Sequence, residues 1–343
     1  MSTANPGTQL GLTGSADASG RGQAQLVLRR FLSHKIAVAS LVVFVLVAIV
    51  SVTSIGAGPI PGWWNLTYQQ LNTPLDGGRP TLSLIPQWLG GDGIRLGTHP
   101  FGQDRIGKDN FAMVMRGIQN SITVMIVVAG LATIIGVVIG GIAGYYRGVV
   151  DNILMRFTDL IIIIPTLVIA AVLGQIAGGV GGPLILAVLL GFFGWAGMAR
   201  LVRAEFLTLR EREFVDAARV AGATDTRIIF KHVMPNAIGV IIVTTTLLMS
   251  GAILLEAALG YLGLGVQPPD VSLGGLISLN QSSFVTRPWL FWWPGVFIIL
   301  LTLTVNFIGD GLRDAFDPRQ GRFKPRRTTS LLAWARPRSG EQL

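Results

Sequence analysis

The chain has 343 residues, 50% of them hydrophobic and only 13% charged, with no cysteine and a net charge of +9. Soluble domains carry about 25% charged residues, so this composition excludes an ordinary soluble protein, and the missing thiols exclude disulfides and thiolate metal sites. A surplus of positive charge suits nucleic acid in general, but its placement along this chain points instead to a membrane.

Residues 1–35 are polar and rich in Gly, Ala and Ser, and predict a disordered extension. Arg29, Arg30 and Lys35 then precede the run IAVASLVVFVLVAIV. That run is too long for a signal peptide and lacks a convincing cleavage site, so it reads as an uncleaved first span, 36–56. Five further apolar segments follow at 119–144, 153–177, 183–200, 236–260 and 290–310. Each can cross a hydrocarbon core of about 30 Å as a helix rising 1.5 Å per residue. None alternates as a barrel strand would. The expected fold class is an all-α polytopic membrane protein with six transmembrane helices.

Lys and Arg orient the spans. With the N-terminus inside, the N-tail, the 145–156 turn, the 200–235 loop and the C-tail hold 21 of the 27 basic residues. The outer segments 57–117 and 261–289 hold the rest. The positive-inside rule therefore places both termini in the cytoplasm. The expected organisation is a cytoplasmic tail 1–35, an extracytoplasmic loop 57–118, and a five-helix core 119–310 interrupted by a cytoplasmic loop 201–235. A basic tail, 311–343, then lies against anionic lipid rather than nucleic acid.

Within the outer loop, GQDRIGKD at 102–109 imitates a phosphate loop through Gly102, Gly107 and Lys108. Asp109 replaces the Ser/Thr that would hold Mg²⁺, and no apolar strand precedes it, so it is not read as a nucleotide site. Gly136, Gly140, Gly144 and Gly148 recur every four residues, the spacing that lets membrane helices approach closely. In the third span, Arg156 and Asp159 are placed to pair on one face, and Pro165 predicts a kink and a candidate gate. Glu256 in the fifth span either lines a water-filled translocation path or hydrogen-bonds a neighbouring helix. His34, His99 and His232 are scattered, which suggests no metal site, and no nucleophile stands beside a base.

The most charged internal stretch is EFVDAARVAGATDTRIIFKHVMPN, starting at residue 213. Phe214, Ala218 and Ala221 predict one apolar helix face. Gly222 suits a helix C′ position. Thr224 or Asp225 then caps a second helix with Ile229 and Val233 inside and Arg227 and Lys231 outside. Pro235 fits the first turn of the fifth span. Helix, Gly hinge and helix make a stiff knob rather than a solvated loop.

This stretch resembles the EAA loop of permease subunits of ATP-binding-cassette importers. The pattern is met by Asp216-Ala217-Ala218, by Gly222 and by Met234-Pro235, with Asp in place of Glu, Met in place of Leu, and His232 at an apolar position. His there resembles the peptide-transport branch. HPFGQDRIGKDNFAMVMRG at 99–117, LEAALGYLGLGVQPPDVSLGGLI and NFIGDGLRDAFDPR resemble the C-type permeases of dipeptide and oligopeptide importers.

The resemblance implies a type I importer permease fold in a bacterial cell membrane. It implies a homologous B-type permease subunit, two cytoplasmic ATPases that bind ATP and Mg, and an extracytoplasmic peptide-binding protein, with no cofactor bound by this chain. It makes Asp216, Ala217, Ala218, Gly222, Ala223, Thr224, Asp225, Arg227, His232 and Pro235 candidates for ATPase coupling. Nickel-uptake permeases share nearly the same signatures. A secondary transporter driven through Glu256, or a membrane scaffold, are the readings from other classes; the first needs an inverted repeat and a second membrane carboxylate, and the second leaves the Gly- and Pro-rich spans without a purpose.

Overall fold

The computed structural model describes residues 23–83, 88, 93, 95–178 and 182–316. Among the described residues, four helices are long and apolar enough to span a membrane: α2 (Lys35–Ile55), α3 (Asn110–Tyr146), a continuous run Asp225–Tyr261, and α12 (Trp289–Phe316). The run Asp225–Tyr261 comprises α9 (Asp225–Ile228), one π turn (Ile229–Val233) and α10 (Met234–Tyr261). Two bent pairs bring the spans to six. The first, α4 (Gly148–Ile163) and α5 (Thr166–Gly178), is bent by 79°; the second, α6 (Gly182–Phe193) and α7 (Ala196–Arg210), by 42°.

Pro165 accounts for the sharper bend. It has no N–H to continue the helix and forces the preceding residue out of the α region. Ile164 is accordingly extended, at φ −75° and ψ 124°. The next helix starts afresh on the Pro165 carbonyl, which accepts from Val168 N–H at 2.9 Å.

α3 is the axis of the bundle, and its glycines explain how. A Cβ at Gly136 would lie 2.6 Å from Met198, and one at Gly144 would lie 2.7 Å from the Arg203 carbonyl; one at Gly140 would collide with the Ala199 carbonyl. The three glycines therefore form the seam into which α7 fits. Gly148 lies beyond it, with open space around it and φ +60°.

The spans differ from expectation at their ends. α3 begins at Asn110, inside the segment 57–118 expected as loop, because Asp109 caps it by accepting Ala112 N–H at 3.0 Å. Its first turns are buried against Phe101 and against α11 (Leu273–Asn280), a short helix between α10 and α12. α12 likewise continues past 310 to Phe316. The basic tail beyond it lies outside the described residues, as do residues 1–22.

The expected disorder of 1–35 is corrected for its last third, where α1 (Gln23–Ser33) is helical. Val27 and Phe31 pack against the end of α12 around Ala315, a contact between distant parts of the chain that local composition does not encode.

The segment between α2 and α3 folds as a cap on the bundle. It opens with a small hairpin of β1 (Gly56–Ala57) and β2 (Ile60–Pro61). Gln119 on α3 donates to the Ser51 and Gly56 carbonyls at 2.7 and 2.9 Å, fastening this end of α2. Phe101 stacks on Trp293 of α12 with ring centroids 4.0 Å apart.

Candidate functional site at the 213–235 loop

The loop begins where α7 ends. α8 (Glu213–Val220) is capped at its C-terminus by a Schellman turn: Gly222 N–H donates to the Arg219 carbonyl and Ala223 N–H to the Ala218 carbonyl, both at 3.0 Å. Gly222 has φ +79°, the left-handed conformation that glycine adopts at least cost. Thr224 then caps α9, its hydroxyl accepting Arg227 N–H at 3.4 Å. Asp225 has a different partner, accepting the Tyr145 hydroxyl at 2.7 Å and tying the loop to the end of α3.

The buried face of the loop is Val215, Ile228 and Val233, packed with Tyr145, Val202 and Phe206. This corrects the expected face of α8. Phe214 and Ala221 are exposed and Ala218 is half-buried, so the helix is rotated by about one residue from the sequence reading. α8 is short, and its rotation is set by the tight turn at Glu211–Arg212 and by what α7 offers, not by its own periodicity.

Of the candidate coupling residues, Asp216, Ala217, Gly222, Thr224, Asp225, Arg227 and Pro235 lie on the surface, while Ala218, Ala223 and His232 are half-buried. Asp216 pairs with Arg219 at 3.3 Å on that surface. Pro235 occupies the first turn of α10, whose helix continues unbroken from α9. The outward face also carries Val220 and Phe230, 91% and 65% exposed, which periodicity did not single out.

Ion pairs brace this end of the bundle. Arg203 grips Asp151 with two hydrogen bonds, and Arg200 reaches Asp159 at 2.6 Å; both join α7 to α4. Asp159 was expected to pair with Arg156 three residues away; its partner is across the helix interface instead. Arg147 meets Glu211 at 2.6 Å, and Arg210 donates to the Tyr145 carbonyl with its guanidinium over the Tyr145 ring. None of these partners is close in sequence, so no linear motif announces them.

The two candidate gate residues have different surroundings. Pro165 lies at the break beside a cavity of about 640 Å³ lined by Ile164 at the break and by α3, α4, α5, α6, α7 and α10, including Thr166, Phe193, Gly197 and Arg200. Glu256 is fully buried and accepts the Ser121 hydroxyl of α3 at 2.9 Å. That bond is the link between helices that one of its two sequence readings anticipated.

The apparent phosphate loop is a capping turn. Gly102 and Gly107 have positive φ, and Asp109 uses both oxygens locally, accepting Trp64 Nε1–H at 2.9 Å and meeting His99 Nδ1 at 2.8 Å.

The profile of binding-protein-dependent transport system inner membrane components matches residues 136–322, and that of the N-terminal transmembrane domain of oligopeptide transport permease C matches residues 22–73. The oligopeptide transport system permease protein OppC of Mycobacterium tuberculosis is 36% identical over 293 residues, covering 85% of this chain and 94% of that protein. A putative peptide permease protein of Brucella ovis is 42% identical over 224 residues, covering 64% and 73%. Among solved structures, an inward-facing MetNI methionine ABC transporter chain superposes with a TM-score of 0.51 at 18% identity, covering 60% of this chain and 97% of that one. That likeness speaks for the fold alone. The chain belongs to the binding-protein-dependent transport family of inner membrane components, as an ABC-importer permease subunit of the oligopeptide permease C branch.

Proposed function

We propose that this chain and a homologous B-type permease subunit form the path by which di- and oligopeptides enter the cell. An extracytoplasmic binding protein delivers the peptide. Two cytoplasmic ATPases, which hold ATP and Mg, drive the cycle through the 213–235 loop, and this chain is itself non-catalytic. The distribution of Lys and Arg supports placing the loop and both termini in the cytoplasm. The names of the relatives support peptide rather than nickel as cargo.

The observation that carries the coupling role is the build of the loop. Its inner face is buried and tied to α3 through Tyr145, its turn is locked by the Schellman bonds, and its second helix runs straight into α10. Force applied at Asp216 to Arg227 is thereby transmitted to the fifth span instead of being absorbed by a slack loop.

The test is isolation and reconstitution. Purification of the tagged chain in mild detergent should bring with it a second permease and two ATPases. Liposomes holding that assembly should accumulate labelled peptide when ATP and the binding protein are supplied. Accumulation by this chain alone, or of Ni²⁺ in place of peptide, would overturn the reading.

A further inference from the structure

α1 carries more apolar surface than the bundle covers. Residues four apart share one stripe of a helix. Val27 and Phe31 form the stripe that packs on α12. The next stripe is Leu28 and Leu32, which are bare, at 58% and 57% exposed. Arg29 borders it on the side away from α12, while Arg30 lies on the opposite side of the helix; both are exposed.

The position of α1 is fixed by its neighbours. The chain breaks at His34, one residue before the 21-residue span α2. His34 Nδ1 accepts Ala37 N–H at 3.2 Å and its Nε2 lies 3.5 Å from Asp314 on α12. Gly311 leaves room for Ala37, where any side chain would collide. α1 is thus held where the first span leaves the bilayer, at the end of the bundle that carries the 213–235 loop. Ile36, the second residue of α2, is 58% exposed at the same level, so the bare stripe of α1 adjoins surface that faces lipid.

We propose that α1 docks on the anionic surface of the bilayer, with Leu28 and Leu32 among the acyl chains and Arg29, at the edge of that stripe, on lipid phosphates. An interfacial helix needs this arrangement: an apolar face sunk at the headgroup boundary and long basic side chains reaching to the phosphates. The covalent link to α2 holds α1 at the surface already, so two leucines and one arginine suffice to seat it. Through Phe31 and Ala315, the seated helix braces the end of α12, whose Phe316 packs on Gly239 of α10. Anionic lipid thereby stabilises the base from which the fifth span departs.

The chain has no cysteine, so Leu28→Cys provides a single labelling site in the full-length protein. An environment-sensitive fluorophore there is followed in nanodiscs of phosphatidylcholine alone or mixed with brominated phosphatidylglycerol. Quenching and a blue shift are expected in the anionic discs. A label at Ser33→Cys, on the polar side of α1, should stay bright, and one at Val45→Cys on α2 reports insertion in every variant. Arg29→Gln should weaken the preference for anionic lipid roughly fivefold, and Arg30→Gln, on the far side of the helix, should weaken it less. The proposal fails if the label at position 28 stays in water in anionic discs, or if quenching is indifferent to both lipid charge and Arg29→Gln. It fails equally if the site becomes shielded only when ATPase subunits are added, which would assign the face to protein.

Discussion

Asp270, in the segment between α10 and α11, shows how one carboxylate holds two parts of the chain together. Burial alone would push its pKa up. Arg116 donates to it through Nε and Nη2 at 2.7 Å each, Asn120 donates at 2.7 Å, and Val271 N–H at 3.0 Å, and together these hold it below the ordinary carboxylate range. A pKa lowered by folding contributes stability that is present above the unfolded value and is lost as pH falls through the folded one. The unfolding temperature should therefore hold steady from neutral pH down to about pH 5 and fall below about pH 4. Asp270→Asn leaves Arg116 without its charged partner. It should cost about 1.5–3 kcal/mol at pH 7 and flatten the acid limb, both read from thermal unfolding in detergent. An acid limb unchanged in the variant would assign that pH dependence to other carboxylates. None of this pairing was legible in the sequence, because Arg116 and Asp270 are 154 residues apart.

At the scale of elements, the 213–235 loop separates what local rules decide from what they do not. Gly222, Thr224 and Pro235 were legible because helix ends obey short-range geometry: a left-handed turn, a side-chain cap, a ring that tolerates the first turn. The rotation of α8 was not, since eight residues carry too little pattern to outweigh the surface they land on. A Cβ at Gly222 would meet nothing within 4 Å, so any penalty there comes from backbone conformation alone. Gly222→Asn should be nearly silent, because Asn tolerates positive φ. Gly222→Val should cost about 1–3 kcal/mol locally and uncouple the assembled transporter, with ATP hydrolysis retained and peptide uptake lost. Equal uptake by the Asn and Val variants would remove the turn from the coupling mechanism.

At the scale of the whole molecule, α4 and α5 leave a broad apolar surface bare, although Ala170 and Leu173 of α5 are buried in the bundle. Phe157, Leu160, Ile163 and Val172 are all more than half exposed. Only Asp151 and Thr158 of α4 are buried, the former gripped by Arg203 of α7. We expect the homologous subunit to cover part of this arm. Leu160→Cys, labelled with a lipophilic maleimide, should react several-fold more slowly in the assembled transporter than in the isolated chain. Equal rates would leave the arm facing lipid in both.

The sequence by itself determined that the chain crosses a membrane, where the spans lie to within about ten residues, where the third span bends, and how α3 presents a glycine seam. Each of those follows from hydropathy, from proline's missing N–H, or from a repeat of four, all of which act within a few turns of helix. Tertiary structure alone decided that α1 is helical, that α3 starts at Asn110, that Asp159 belongs to Arg200, and that Glu256 answers to Ser121. Those outcomes turn on which distant surface a residue meets. A charge or an apolar stripe settles on the partner that best removes it from lipid or water, and that partner is chosen only when the bundle closes.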